Sequence, residues 1–356
     1  MTSADMSTSA RLRVLVLWNR VAEEDEESEE AEESEEAEED EDAADLPDSS
    51  WPPAVHGVPP AVRAVLDVLR ARGFDAAHVN AEDDIDRIAA AVVIERPALI
   101  FNLVDDFYGD GALLGALAAY LELLDVPFVG ADPACLLTCQ DRVQVRLVLR
   151  DAGVPVPRFQ TVRDVELVPS IDDLRPPLII TQALDDVYQD EGLARPLYHR
   201  SQVVERVAAL AGEYEPPFLI EEYLPQRRLH ALVLGHGPRD VLPLLEAAGA
   251  SETTRHAAGP GEREAEPEAR PWVLAELDPA ASAHIGELAR RAYRALGCRD
   301  VACVDIHLDA DNRPHVVDVR PVVDFDPDGP LHAAAESSER RFAGVVVELV
   351  QRAAQR

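Results

Sequence analysis

The chain of 356 residues contains no lysine; all 33 of its basic side chains are arginine. Any chemistry that needs an ammonium must therefore fall to a guanidinium, which differs in shape, hydration and donor geometry, or not be done at all. Cysteine is scarce, with only Cys135, Cys139, Cys298 and Cys303, which excludes a disulfide scaffold in a chain of this length. Cys135 and Cys139 lack the second pair and the histidines of a zinc site and read as small buried thiols. His56, His78, His230, His236, His284 and His307 form no metal-ligand spacing and read as surface or structural residues. The opening MTSADMSTSARLR has no apolar core of a secretory leader, and no run approaches the ~20 apolar residues of a membrane helix. A cytoplasmic protein without a membrane partner is expected.

What is abundant is acid. The formal charge is −35, and 16 of the acids fall within the 20 residues Glu23–Asp42. Such density repels itself and buries nothing, so residues 22–50 read as a solvated, disordered insertion. Clustered cations are needed to hold a phosphate backbone, and their absence excludes nucleic acid as a partner. Apolar residues make up 47% of the chain, enough for real cores in two or three units of ~100–200 residues each.

Arg11–Trp18 (RLRVLVLW) suits the first strand of a buried parallel sheet. After the acid run, helical and strand-like patterns alternate to Gly130, predicting βαβαβαβ with short connections, a doubly wound α/β domain. Asp132 or Asp141 is placed to cap the next helix, which stops at Gly153. Val154–Pro157 is a stiff extended linker. Beyond it, strands are predicted over 158–162, 178–181, 218–223, 229–234 and 241–245, with a helix between Gln202 and Leu210. Residues 247–271 read as a mobile loop. The strongest helical pattern is Ala280–Leu296, and a last helix covers Arg341–Gln355.

Val301–Pro321 (VACVDIHLDADNRPHVVDVRP) parses as two short strands joined by the turn residues Asp309, Asp311 and Asn312. Each strand carries one carboxylate among apolar neighbours, Asp305 and Asp318. Such acids either face solvent on an edge hairpin or share a cation, since burying one unpaired is costly.

The strings FNLVDDFYGDG (101–111), VPFVGADPACLLTCQDR (126–142), AGVPVP (152–157), PLIITQA (177–183), EEYLPQRRLHALVLG (221–235) and the segment 291–321 together resemble, in order and over nearly the whole chain, the ATP-grasp superfamily, specifically D-alanine–D-alanine ligase and its relatives. The resemblance implies an α/β class, α+β in the C-terminal half, with a doubly wound parallel domain followed by a two-subdomain ATP-grasp fold. It places the N-terminal domain at 11–131, a linker helix and central subdomain at 132–225, and a C-terminal subdomain at 226–354. It also implies ATP and Mg²⁺ as cofactors and small-molecule carboxylate and amine substrates joined through an acyl phosphate.

Residue by residue, the resemblance implies a changed site. Arg142 stands for the lysine that closes the family's "MDK" string, and Thr181 stands at the lysine of "VKP". Asp186–Asp190 replaces a glycine-rich phosphate loop. Glu221, with the backbone of Tyr223 and Leu224, stands at the adenine hinge, and Arg228 replaces a ribose-binding glutamate. Cys303 falls on an arginine that stabilises the transferring group. Asp305 and Asp318 stand at metal ligands, the second shortened from glutamate, and Arg320 replaces the asparagine that completes the set. Two readings follow. In one, the chain is an impaired or inactive relative that keeps the fold and binds a ligand, a partner protein or a second copy. In the other, it is an active carboxylate–amine ligase in which Arg142 and Arg320 supply the missing charge. Asp105, Asp106 and Asp110 either face a substrate amine or cap helices.

Overall fold

The computed structural model describes residues 12–20, 57–184, 196–237, 239–247 and 272–356. The acid run, His56, the Asp186–Asp190 segment and almost all of the expected loop over 247–271 lie outside these residues.

The first unit alternates strand and helix: β1 (Arg13–Trp18), α1 (Pro60–Ala71), β2 (Asp75–Asn80), α2 (Ile85–Glu95), β3 (Leu99–Asn102), a 3₁₀ turn (Gly111–Leu113), α3 (Leu114–Leu123) and β4 (Phe128–Val129). The strands form a parallel sheet in the order β2-β1-β3-β4. Alternation along β1 sends Val14 and Val16 into one apolar core and Leu15 and Leu17 into another, as period-two side chains require of a sheet covered on both faces.

Both candidate caps are used. Asp132 accepts the Cys135 N–H at the start of α4 (Pro133–Cys139), and Asp141 accepts those of Val143 and Gln144 at the start of α5 (Arg142–Asp151). One predicted helix is therefore two. The next elements are β5 (Phe159–Val162), β6 (Leu178–Gln182), α6 (Arg200–Leu210) and β7 (Phe218–Glu222). They make an antiparallel sheet in the order β5-β7-β6. Its Ile180, Phe218 and Ile220 pack on Val203, Val207 and Leu210 of α6.

The last unit contains β8 (Arg228–Val233), β9 (Leu245–Ala247), β10 (Trp272–Leu274), α7 (Pro279–Ala295), β11 (Ala302–Leu308), β12 (Pro314–Arg320), α8 (Pro330–Glu336) and α9 (Arg341–Ala353). Its sheet runs β10-β9-β8-β11-β12. The strand expected over 241–245 is displaced: Val241 makes one isolated bridge to Val233, and β9 begins only at Leu245. Pro243 lies between them and has no N–H to extend the ladder. Neither β10 nor α8 has a counterpart in the sequence expectations. For α8 the signal exists: Pro330 in the first turn, with Leu331, Ala334 and Ala335 buried at i, i+3 and i+4.

Candidate functional site

The expected hairpin forms. In β11 and β12, Cys303 lies opposite Arg320 and Asp305 opposite Asp318, with a register shift immediately after Asp305. On the other side of β11, His230 of β8 lies opposite Asp305. Antiparallel pairing puts directly opposed residues on one face, so His230, Cys303, Asp305, Asp318 and Arg320 share it. Cys303 belongs to the apolar core beneath this face, and Asp305 sits where that core ends.

Asp305 is not a solvent-facing edge acid: β11 is internal to the sheet and the residue is 7% exposed. Two facing carboxylates at this spacing would repel. The Arg320 guanidinium answers that repulsion, lying 2.9 Å from Asp305 Oδ2 and donating from Nη2 to Oδ1 at 3.1 Å. His230 Nδ1 is 2.7 Å from the same Oδ1; an ionised carboxylate only accepts, so this nitrogen carries the proton. The Cys303 thiol is 3.5 Å from Oδ1 as well. Burial pushes the Asp305 carboxyl up, but Arg320 and then His230 outweigh it and hold it well below the usual carboxylate range. Asp305 in turn raises Arg320, while burial, and then Asp305, pushes the Cys303 thiol up. Asp318 accepts the Val319 N–H at 2.9 Å.

This donor set does not suit Mg²⁺, which demands near-octahedral oxygen ligation and gives up water reluctantly. Two carboxylates are present, but one is already bonded by a guanidinium and an imidazole, and the third position is a fixed cation.

The string expected to form a hinge begins on β7. Glu221 is 4% exposed and its carboxylate is held bidentately by Arg146 of α5, Nε to Oε1 at 2.6 Å and Nη2 to Oε2 at 3.1 Å. Arg146 is itself buried, and its Nη1 has no hydrogen-bond partner among the described residues. Sequence reasoning missed this residue, although an Arg among Val143, Val145 and Leu149 on the buried face of an amphipathic helix is a readable anomaly. Ile179 of β6 opposes Glu221, and Thr181, two residues on, presents a buried Oγ1 that also lacks a partner. The Tyr223 N–H is donated to the Pro177 carbonyl at 2.8 Å, and Leu224 is buried. Arg142 begins α5 with its N–H on the Ala183 carbonyl.

Arg228 opens β8 opposite His307 of β11. Burial, and then the charge of Arg228, lowers His307 to about 3, so its imidazole stays neutral near pH 7. Of the loop acids, Asp110 accepts the Ala112 N–H as a helix cap. Asp106 is raised by burial and by Asp105. Asp83, not singled out from the sequence, accepts from Asn19 and from the Tyr108 N–H.

Arg228 thus lies on the strand beside the hairpin, and the buried carboxylates Glu221 and Asp305 are each neutralised by an arginine. Known proteins resemble the chain in sequence and fold. Residues 198–351 match the family model described as D-ala D-ala ligase C-terminus. A D-alanine–D-alanine ligase of Bordetella petrii is 28% identical over 82% of this chain and 86% of its own length. An uncharacterized protein, y4sG, of Sinorhizobium fredii is 27% identical over 62% of this chain, which spans 64% of that relative. The fold aligns with a D-alanine–D-alanine ligase of Bacillus anthracis crystallised with ATP, at a TM-score of 0.69, 15% identity and 98% coverage of each chain. A doubly wound parallel domain followed by two antiparallel-sheet subdomains, with the D-ala D-ala ligase C-terminus pattern over residues 198–351, makes the chain similar to the D-alanine–D-alanine ligases in fold and in C-terminal sequence.

Proposed function

We propose that this chain is a catalytically impaired relative of the ATP-dependent carboxylate–amine ligases, one that keeps the nucleotide cleft and has lost Mg²⁺-assisted phosphoryl transfer. In this reading residues 11–131, 132–225 and 226–354 are its three parts. Glu221, Tyr223, Leu224 and Thr181 border the nucleotide, with Arg142 at its charged end and Arg228 beside its ribose. The observation that carries the reading is the Arg320–Asp305 pair. A guanidinium can hold phosphate oxygens, but it cannot bridge them with a metal's ligand geometry. Losing one charged contact at a phosphoryl-transfer site costs on the order of 100-fold in rate. Here the losses at Thr181, Arg228, Cys303 and Arg320 act together.

The test restores the ligand set. Arg320→Asn and Arg320→Asn/Asp318→Glu are compared with the parent by calorimetric titration of ATP, with and without Mg²⁺. The parent should bind ATP without Mg²⁺ dependence, and the double variant should gain at least a ~10-fold Mg²⁺-dependent tightening, about 1.4 kcal/mol. ADP release by the parent protein, dependent on an amino acid or dipeptide pair, would replace this reading with the active ligase that uses Arg142 and Arg320.

A further inference from the structure

Three of the four cysteines meet at a place unconnected with the hairpin. Cys135 and Cys139 lie at i and i+4 on α4, a spacing that puts both side chains on one helix face. Cys298 arrives from 159 residues further on. Gly297, at φ +70, ends α7, and its left-handed conformation turns the next residue inward. The three Sγ atoms all lie within 4.8 Å of one another, and those of Cys135 and Cys298 are 3.6 Å apart. All three residues are buried, Cys139 the most accessible at 8%, in the core that also holds Leu136, Val145 and Leu296.

Three sulfurs around a cation, each bonded at ~2.3 Å, stand about 4.0 Å from one another in a trigonal plane. The observed triangle therefore needs only small adjustments to hold an ion at its centre. Thiolate is the form that binds metal, so each of the three thiols gives up its proton when an ion enters. Among the described residues no imidazole or carboxylate joins the triad within the same reach. That absence discriminates between ions. Structural Zn²⁺ takes four protein ligands, whereas an all-sulfur set with three donors suits a soft, monovalent d¹⁰ cation. Excess negative charge in an apolar core is costly.

We propose that Cys135, Cys139 and Cys298 form a closed three-sulfur site for Cu(I), which ties α4 to the turn after α7. Copper enters and remains as Cu(I): three S–Cu bonds form, and the thiol protons leave to solvent.

The experiment is an anaerobic titration of the full chain with Cu(I) held by a competing chromogenic chelator. One equivalent per chain should be taken from the chelator, and X-ray absorption should show three sulfurs and no lighter neighbour. Cys298→Ser and Cys139→Ser should each weaken uptake at least 100-fold. Cys303→Ser, which alters the Asp305 cluster, should leave uptake unchanged. Circular dichroism and cooperative unfolding establish that each variant folds. For a variant that does not fold, thiol alkylation of the parent protein mapped by mass spectrometry substitutes, with Cu(I) expected to protect Cys135, Cys139 and Cys298 together. Uptake below one equivalent, uptake indifferent to Cys298→Ser, two-sulfur coordination, or loss of uptake in Cys303→Ser would each overturn the assignment.

Discussion

Arginine does two different jobs in this protein, and only one of them is on the surface. Arg146 is buried against Glu221 as a planar fork matched to the carboxylate, whereas Arg320 reaches over Asp305 and meets both of its oxygens through Nη2 alone. A lysine could not reproduce the two parallel bonds at Glu221. Arg146→Met should leave that glutamate charged and unpaired in a dry interface, at a cost of about 3–5 kcal/mol. Arg146→Met/Glu221→Met should recover most of the loss, because no charge is then stranded. Urea denaturation of the two variants measures both effects. The Arg320 pair is worth less: its side chain is 48% exposed, so water replaces part of what the substitution removes. Absence of lysine is visible in the sequence, and so is the arginine at position 320. That Arg320 reaches the neighbouring strand's Asp305, and not only Asp318 on its own strand, required the pairing register.

At the scale of elements, the hairpin β11–β12 and its neighbour β8 concentrate the protein's acid sensitivity. The folded-state value of Asp305 is depressed, so its contribution is fully present above the ordinary aspartate value of ~3.9 and is lost as pH falls through the lower folded value. His307 is also depressed, to about 3. The unfolded chain takes up a proton below ~6.5 that the folded chain refuses until about 3. Stability therefore declines over that window as pH falls, by up to ~1.4 kcal/mol per pH unit. His307→Gln should flatten the slope between pH ~6 and ~4. Arg320→Met should be less stable than the parent at pH 6 by about 1–3 kcal/mol, with the gap closing at pH ~3 and below. Unfolding midpoints across a pH series read both outcomes. Local signals served well where one mechanism dominates: Asp141 before an amphipathic run gave a cap, and the turn residues gave the hairpin. They failed at β9, where Pro243 moved the strand by several residues, and at β10, whose partner strand lies across a long sequence gap.

Over the whole molecule, the first sheet shares both apolar cores with the last unit, and a polar clamp adds to that contact. Asp300, in the left-handed region at φ +59, buries its carboxylate where it accepts the Gly130 N–H at 2.8 Å and both terminal nitrogens of Arg356, also at 2.8 Å. Arg356 also donates to the Phe128 carbonyl, and Arg299 covers the Phe128 ring and donates to the Gly130 carbonyl. Asp300→Asn tolerates the backbone conformation but removes the charge. It should cost about 2–4 kcal/mol, read by calorimetry as a lowered midpoint of a single transition, because the shared cores keep the first sheet coupled to the rest. Among the described residues, no helix is long and apolar enough to cross a membrane.

The sequence by itself determined the fold class, most elements, the resemblance to the D-alanine–D-alanine ligases and the identity of Asp305, Asp318, Arg320 and Glu221 as residues of interest, because periodicity, caps and motif strings are local properties of the chain. Only the tertiary structure decided what those residues touch. His230 on Asp305, Arg146 on Glu221 and Cys298 beside Cys135 join positions 75, 75 and 163 residues apart. Whether a buried carboxylate serves a metal or an arginine depends on which cation is nearest in space, and strand register and helix packing set that distance.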